Sequence, residues 1–272
     1  MVPSPCHPKV LVFDSGVGGL SILAEVRARL PWCSYIYACD NQAFPYGTKG
    51  EEELVARVDA VLKGLIAAVD PDIVVIACNT ASTVALPHIR SHFAKPVVGV
   101  VPAIKPAALL SKTRVIGLLA TPATVHRPYT QWLIDEFAPD CTVIRVGSAE
   151  LVAIAEAKLR GHPPDPRVLA EIIAPLFANP HTDALVLACT HFPLLRGELE
   201  AAAPRPVHWV DSGEAIARRV ASFAGEPPPG AGNETANATF PCWLTGSNGD
   251  TAALVAGLRA LGADTVRMLE LR

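Results

Sequence analysis

Two cysteines of this chain stand in matched settings. VVIACNTAS at residues 74–82 and LVLACTHFP at residues 185–193 each carry an apolar stretch into Ala-Cys and then a hydrogen-bonding residue. Cys189 follows Cys78 by 111 positions. A thiol has an ordinary pKa of about 8.5, lower at a helix N-terminus, so it can act as acid or base near neutral pH. Paired thiols suit a reaction that takes a proton from one face of a carbon and returns one to the opposite face. The product of such a reaction mirrors its substrate, so the reverse direction exchanges the two roles. Each positioned proton transfer is worth about 10²–10⁴-fold. Where a strand gives way to a helix, the first backbone N–H groups lack helical partners. Those donors, with the side chains of Asn79, Thr80 and Thr190, are suited to hold a carboxylate and the charge of a developing carbanion. Cys33 and Cys141 lack this setting and read as buried structural residues.

The elements that position these groups follow from hydrophobic pattern. Strand-like runs fall at residues 10–13, 35–38, 73–77, 97–100, 115–119, 143–146, 184–188 and 207–210, with helical patterns between them such as 20–30, 51–69, 151–159 and 214–223. Near-continuous apolar strands separated by helices indicate parallel sheets covered on both faces. The fold class is α/β. Four runs end in a polar turn that is expected to open a helix, at Asp14-Ser15, Cys78-Asn79, Thr121-Pro122 and Cys189-Thr190. Ligand crevices of open parallel sheets lie at such carboxyl ends. Thr121 follows Asp14 by 107 positions, close to the cysteine offset. We therefore expect two similar tandem α/β domains with mainly parallel sheets and an active site in the cleft between them. After a Pro/Gly/Asn-rich loop at 225–238, a strand at 240–244 and a helix are expected to return to the first half. The expected domains are residues 1–101 with 209–272, carrying Cys78, and residues 102–208, carrying Cys189.

DSGVGG (14–19), CDNQAFPYGTK (39–49), ACNTAS (77–82) and ACTHFP (188–193) resemble the signature segments of the bacterial glutamate racemase family, and the similarity runs from the first strand to Thr245-Gly246. The resemblance implies a cofactor-independent racemase interconverting L- and D-glutamate, which supplies D-glutamate for peptidoglycan. It implies that Cys78 takes the proton from the D-enantiomer and Cys189 from the L-enantiomer. Asp14 and Ser15 match the substrate-amine and proton-transfer positions, and Pro45, Tyr46 and Gly47 match a substrate-binding loop. Asn79, Thr80, Thr190 and His191 match the pairs that follow the cysteines, and Thr121, with Thr124 beside it, matches a further substrate turn. Asp40 and Glu156 match assisting acids. A negative charge near a thiol raises its pKa, so Asp40 is expected as an acceptor orienting an S–H. Asp14 could instead cap a helix, His191 could be a capping or structural histidine, and Glu156 could be a solvated helix carboxylate. Where the family carries a Cys-Pro turn, this chain has Gly147-Ser148-Ala149-Glu150, so Glu150 competes with Glu156 for the assisting role.

Other classes fit less well. The GxGxxG pattern of a dinucleotide site fails at Ser21, and Asp14 would set a negative charge near the pyrophosphate. Cys189 and His191 on one turn do not complete a zinc site, so no metal is expected. A racemase for another acidic amino acid, such as aspartate, is the alternative within the family. A regulator built on an inactive racemase fold is a different class again, which the presence of both thiols disfavours. With 23 basic against 26 acidic residues there is no basic surplus for nucleic acid. The longest stretch free of Asp, Glu, Lys and Arg, residues 73–89, holds several polar residues and is shorter than the about 20 needed to cross a membrane. The N-terminus lacks the layout of a signal peptide, and seven cysteines without a CxxC argue against a disulfide framework. A cytoplasmic enzyme is expected. The resemblance allows a homodimer and a cell-wall-precursor effector, and locates neither.

Overall fold

A computed structural model describes residues 7–227, 239–247 and 251–271. Most of the loop expected at 225–238 lies outside the described residues. In chain order the strands are β1 (Lys9–Asp14), β2 (Ser34–Cys39), β3 (Ile73–Ile76), β4 (Val97–Gly99), β5 (Val115–Ala120), β6 (Thr142–Gly147), β7 (Ala184–Leu187), β8 (His208–Val210), β9 (Phe240–Leu244) and β10 (Ala263–Met268). The helices are α1 (Gly19–Arg29), α2 (Glu51–Val69), α3 (Asn79–His92), α4 (Ile104–Leu110), α5 (Pro122–His126), α6 (Pro128–Phe137), α7 (Glu150–Leu159), α8 (Pro166–Ile173), α9 (Arg196–Ala202), α10 (Gly213–Ala224) and α11 (Thr251–Ala260).

The chain forms two compact units, Met1–Val100 with Gly213–Arg272, and Val101–Ser212. The expected break at 208/209 falls inside β8, which is hydrogen-bonded to β7 and so belongs with the second unit. The first unit is built on a six-stranded sheet in the order β10-β9-β2-β1-β3-β4, the second on a four-stranded sheet in the order β6-β5-β7-β8. All strand pairings among the described residues are parallel.

Pattern explains the elements. Ile73-Val74-Val75-Ile76 is buried on both faces, as a central parallel strand with covering helices requires. On α2, Leu54, Val58, Val61, Leu62 and Leu65 form one buried stripe, and Glu51, Glu52 and Glu53 complement the positive end of its dipole. β10 was not legible because ADTVRM has no apolar run. It is an edge strand with four of its six residues exposed.

The two sheets share a topology. From β1 the chain moves to β2 on one side and then crosses to β3 on the other; from β5 it moves to β6 and then crosses to β7. Such a reversal is the topological switch point where open α/β sheets bind ligands. The ladders also extend alike beyond the strand ends. Ala77 N–H donates to Phe13 O at 2.7 Å, and Ala188 N–H donates to Leu119 O at 2.8 Å. The next residue in each case is a cysteine, so Cys78 and Cys189 occupy equivalent places in their units.

Candidate active site

In the first unit Asp14 ends β1 and is fully buried. Its Oδ1 accepts the Ser15 N–H and its Oδ2 the Gly19 N–H, both at 2.6 Å. The latter contact joins the carboxylate to the first residue of α1, so Asp14 does support that helix end. It needs glycine at 19: a Cβ there would stand 2.9 Å from the Asp14 Cβ and 3.0 Å from the Ala77 Cβ. Ser15 Oγ lies 3.8 Å from Cys78 Sγ. Cys78, 6% exposed, is the N-cap residue of α3, with its carbonyl accepting from Ser82 N–H. Asn79 and Thr80 follow as the first buried residues of the helix. The Asn79 Nδ2 is buried and finds no hydrogen-bond partner among the described residues. An unsatisfied buried donor is uncommon, and beside a thiol at a helix N-terminus it is a place for a ligand oxygen.

Asp40 follows β2 and its side chain is fully buried. Oδ2 accepts from Tyr46 Oη at 2.6 Å and Arg57 Nε at 2.8 Å, and Oδ1 from Arg57 Nη2 at 2.6 Å and Thr245 Oγ1. Burial pushes this carboxyl up, but the Arg57 fork and the two hydroxyls outweigh it and hold Asp40 below the usual carboxylate range. These four bonds engage both oxygens, and among the described residues no thiol is a partner of Asp40. Asp40 thus has other partners than the S–H expected of it. It holds Tyr46, and through Thr245 the turn after β9. Burial and the neighbouring Asp40 push the Tyr46 phenol well above its ordinary value, so it stays a donor. Its proton is committed to Asp40. The Phe44–Pro45 peptide that precedes Tyr46 is cis, and Pro45 itself is exposed.

In the second unit Thr121 follows β5 and caps α5: its Oγ1 accepts from Thr124 N–H at 3.3 Å and donates to Thr124 Oγ1 at 2.9 Å. Cys189 follows β7 and is 7% exposed, with Thr190 and His191 buried beside it. The chain then enters a 3-10 turn, Phe192–Leu195, with Pro193 near its start, and α9 begins only at Arg196. Cys189 is thus not at an α-helix N-terminus, which corrects the expectation of equivalent helix-opening turns. A side-chain chain stands there instead. His191 Nδ1 lies 3.8 Å from Cys189 Sγ, His191 Nε2 lies 2.9 Å from Glu156 Oε1, and Arg160 Nη1 donates to Glu156 Oε2 at 2.7 Å. A carboxylate accepts only, so Nε2 carries a hydrogen toward Glu156, and in the neutral ring Nδ1 presents a lone pair to the thiol. Glu156 is buried on α7 whereas Glu150, on the first turn of the same helix, is exposed. Glu156 is the acid in contact with His191. Ser148, in place of the family's Cys-Pro turn, receives the Leu151 N–H at α7's start.

Arg57, Thr245 and Arg160 bond the candidate residues Asp40 and Glu156, and the sequence did not disclose them. Arg160 lies four residues after Glu156, a helical ion-pair spacing that could have been read. Arg57 and Thr245 reach Asp40 across 17 and 205 positions, and no local pattern announces such contacts. Among the described residues no group of three or more His, Cys, Asp and Glu is set to hold a metal ion, and no helix is long and apolar enough to cross a membrane.

A sequence model of the Asp/Glu/hydantoin racemases matches residues 20–220. The chain is 50% identical over 270 residues to a glutamate racemase of Klebsiella pneumoniae, covering 99% of this chain and 94% of that protein. It is 54% identical over 223 residues to one from Pectobacterium carotovorum, covering 81% and 78%. Among solved structures it is similar to Escherichia coli glutamate racemase in complex with L-glutamate and the activator UDP-MurNAc-ala. That match has a TM-score of 0.91 and 45% identity, covering 98% of this chain and all of that one. Glutamate racemase from Thermus thermophilus, in complex with beta-chloro-D-alanine, matches with a TM-score of 0.75, 30% identity and 98% coverage of each chain.

Proposed function

The chain belongs to the Asp/Glu/hydantoin racemase family, and from that membership we propose that it is a glutamate racemase whose two bases are Cys78 and Cys189. The observation that carries the assignment of bases is their equivalent placement, one residue beyond the last ladder bond of the strand beside each switch point. The relatives at 50% and 54% identity act on glutamate by name, which decides against the aspartate alternative.

L-Glutamate loses its α-proton to the Cys189 thiolate, and the resulting carbanion takes a proton from the Cys78 thiol on the opposite face. Cys189 ends as thiol and Cys78 as thiolate, the state that begins the reverse reaction. His191 receives the Cys189 proton in the resting half-site, and Glu156 keeps the ring aimed at the sulfur. On the other side Ser15 and the N-terminus of α3 flank Cys78, and the Asn79 amide donates to a substrate carboxylate oxygen. Asp14 serves the substrate amine, with Thr121, Thr80, Thr190 and the Pro45-Tyr46-Gly47 turn completing the contacts. Asp40 acts through Tyr46 and is a positioning residue.

A product that supplies peptidoglycan synthesis supports a cytoplasmic enzyme. The Escherichia coli structure holds an activator, UDP-MurNAc-ala, and we extend a precursor of that kind to this chain as an effector. A homodimer is the expected assembly, read by light scattering. The test of function is chiral chromatography of L-glutamate and, in parallel, L-aspartate, incubated with reduced protein and no added cofactor. D-Glutamate alone is expected. D-Aspartate alone, or no product with or without UDP-MurNAc-ala, would overturn the proposal.

A further inference from the structure

We propose that Arg160 is a positioning residue of the Cys189 half-site, fixing the Glu156 carboxylate that aims His191 at the thiol. This rests on the racemase reading above and adds a residue to it.

The end of α7 supplies the anchor. The backbone N–H of Arg160 bonds the carbonyls of Ala157 and Lys158, and not that of Glu156, its regular helical partner four residues back. The Glu156 carbonyl is one of the orphan acceptors of a helix end, and the Arg160 side chain takes that place, with Nη1 2.8 Å from Glu156 O. The same nitrogen donates its second hydrogen to Glu156 Oε2 at 2.7 Å. One amino group is therefore held by the backbone and side chain of a single residue, which fixes it without help from a distant element.

Glu156 Oε1 meanwhile faces His191 Nε2 at 2.9 Å. A carboxylate held as an acceptor by a permanent cation keeps the hydrogen on Nε2 and the lone pair on Nδ1, facing Cys189 Sγ at 3.8 Å. Without the guanidinium, the buried acid and imidazole can share one proton in either arrangement. The arrangement with hydrogen on Nδ1 cannot accept a proton from the thiol. The cation nearest in sequence, Lys158, is engaged with Glu198 at 2.6 Å and the Leu194 carbonyl at 2.7 Å, so it is not a substitute. Arg160 lies beyond Glu156 from the thiol, so its effect should fall on turnover and leave substrate affinity alone.

The experiment is a double-mutant cycle on the full chain, with kcat and KM for L-glutamate measured for wild type, Arg160→Met, Arg160→Lys, Glu156→Gln and Arg160→Met/Glu156→Gln. Folding of each is checked by circular dichroism. We expect Arg160→Met to lower kcat about 10-fold with KM within about twofold, a fraction of what a full acid–base group supplies. Arg160→Lys, which keeps the charge, should recover most of that loss. In the Glu156→Gln background Arg160→Met should cost less than about twofold, because the charge it serves is gone; that non-additivity is the signature of an interacting pair. An unchanged kcat in Arg160→Met overturns the proposal. So does an equal penalty in both backgrounds, which would mark a role at the helix end alone. Should Arg160→Met not fold, Arg160→Gln, which removes the charge but keeps an amide donor, takes its place in the cycle and is read by the same outcomes. A wild type that does not racemise glutamate would instead defeat the functional reading itself.

Discussion

Replacing Arg57 with Met would leave the Asp40 carboxylate in place against Tyr46 and Thr245 with no cation beside it. Arg57 gives Asp40 two of its four hydrogen bonds, at 2.8 and 2.6 Å, and the Asp40 side chain is fully buried. Removing one partner of a buried pair costs about 3–5 kcal/mol. The Arg57 side chain is 24% exposed, so water reaches the vacated space and screens part of that loss, leaving about 2–3 kcal/mol. For a domain of this size each kcal/mol moves Tm by about 2–4 °C, so a fall of about 5–10 °C is expected near pH 7. The pH dependence has a definite sign. Asp40 is held below its ordinary pKa of 3.8 in the folded protein. The pair's contribution is therefore complete above about pH 4 and is lost as pH falls through the lower folded value. Melting curves of wild type and Arg57→Met from pH 8 down to the acid limit should run parallel at first and converge below about pH 4. A variant that melts within 2 °C of wild type at pH 7, or a gap that widens on acidification, would refute the role given to the Arg57 fork.

Three further outcomes follow from the geometry. Gly19→Ala places a Cβ 2.9 Å from the Asp14 Cβ, which should displace α1 from Asp14 and cost about 1–3 kcal/mol of stability, with kcat falling as well; thermal melts and steady-state rates read both. Glu156→Gln and His191→Asn should each lower kcat about 10²-fold, within the range of a positioned proton transfer, with circular dichroism unchanged. Because the enantiomers are equal in free energy, kcat/KM must fall by the same factor from either side, so the individual kcat values carry the information. Burial pushes the Cys33 thiol up to about 11 and the Cys242 thiol up to about 12. At pH 8 both stay protonated and should resist iodoacetamide in the folded enzyme, with mass spectrometry finding the inactivating label on Cys78 or Cys189 and glutamate slowing it.

The α/β class and the matched placement of the two cysteines were legible because both rest on short-range pattern. IVVIAC and LVLAC each announce a buried strand and the residue that leaves it. The difference between the two thiol turns was less legible. Asn79-Thr80 opens a 14-residue helix, whereas Thr190-His191 opens a 3-10 turn where proline removes an N–H. The two cysteines thus have different surroundings, a helix N-terminus at Cys78 and an imidazole beside Cys189. Asp40 illustrates what spacing cannot give. The resemblance suggested a thiol beside it, but apart from the nearby Tyr46 its partners come from α2 and from beyond β9, brought near only by the fold. β10 escaped for the opposite reason, since an exposed edge strand needs no apolar run.

The central claim is that two separate bases work on opposite faces of one carbon. Proton NMR and mass analysis of L-glutamate turning over in D₂O test it most directly, with the enantiomers separated at early conversion. The Cys78 thiol exchanges with solvent before it donates. The first D-glutamate formed should therefore carry deuterium at the α-carbon while the remaining L-glutamate keeps its proton, and Cys78→Ala and Cys189→Ala should each abolish conversion. D-Glutamate that retains the original α-proton, or conversion surviving the loss of either thiol, would contradict the account.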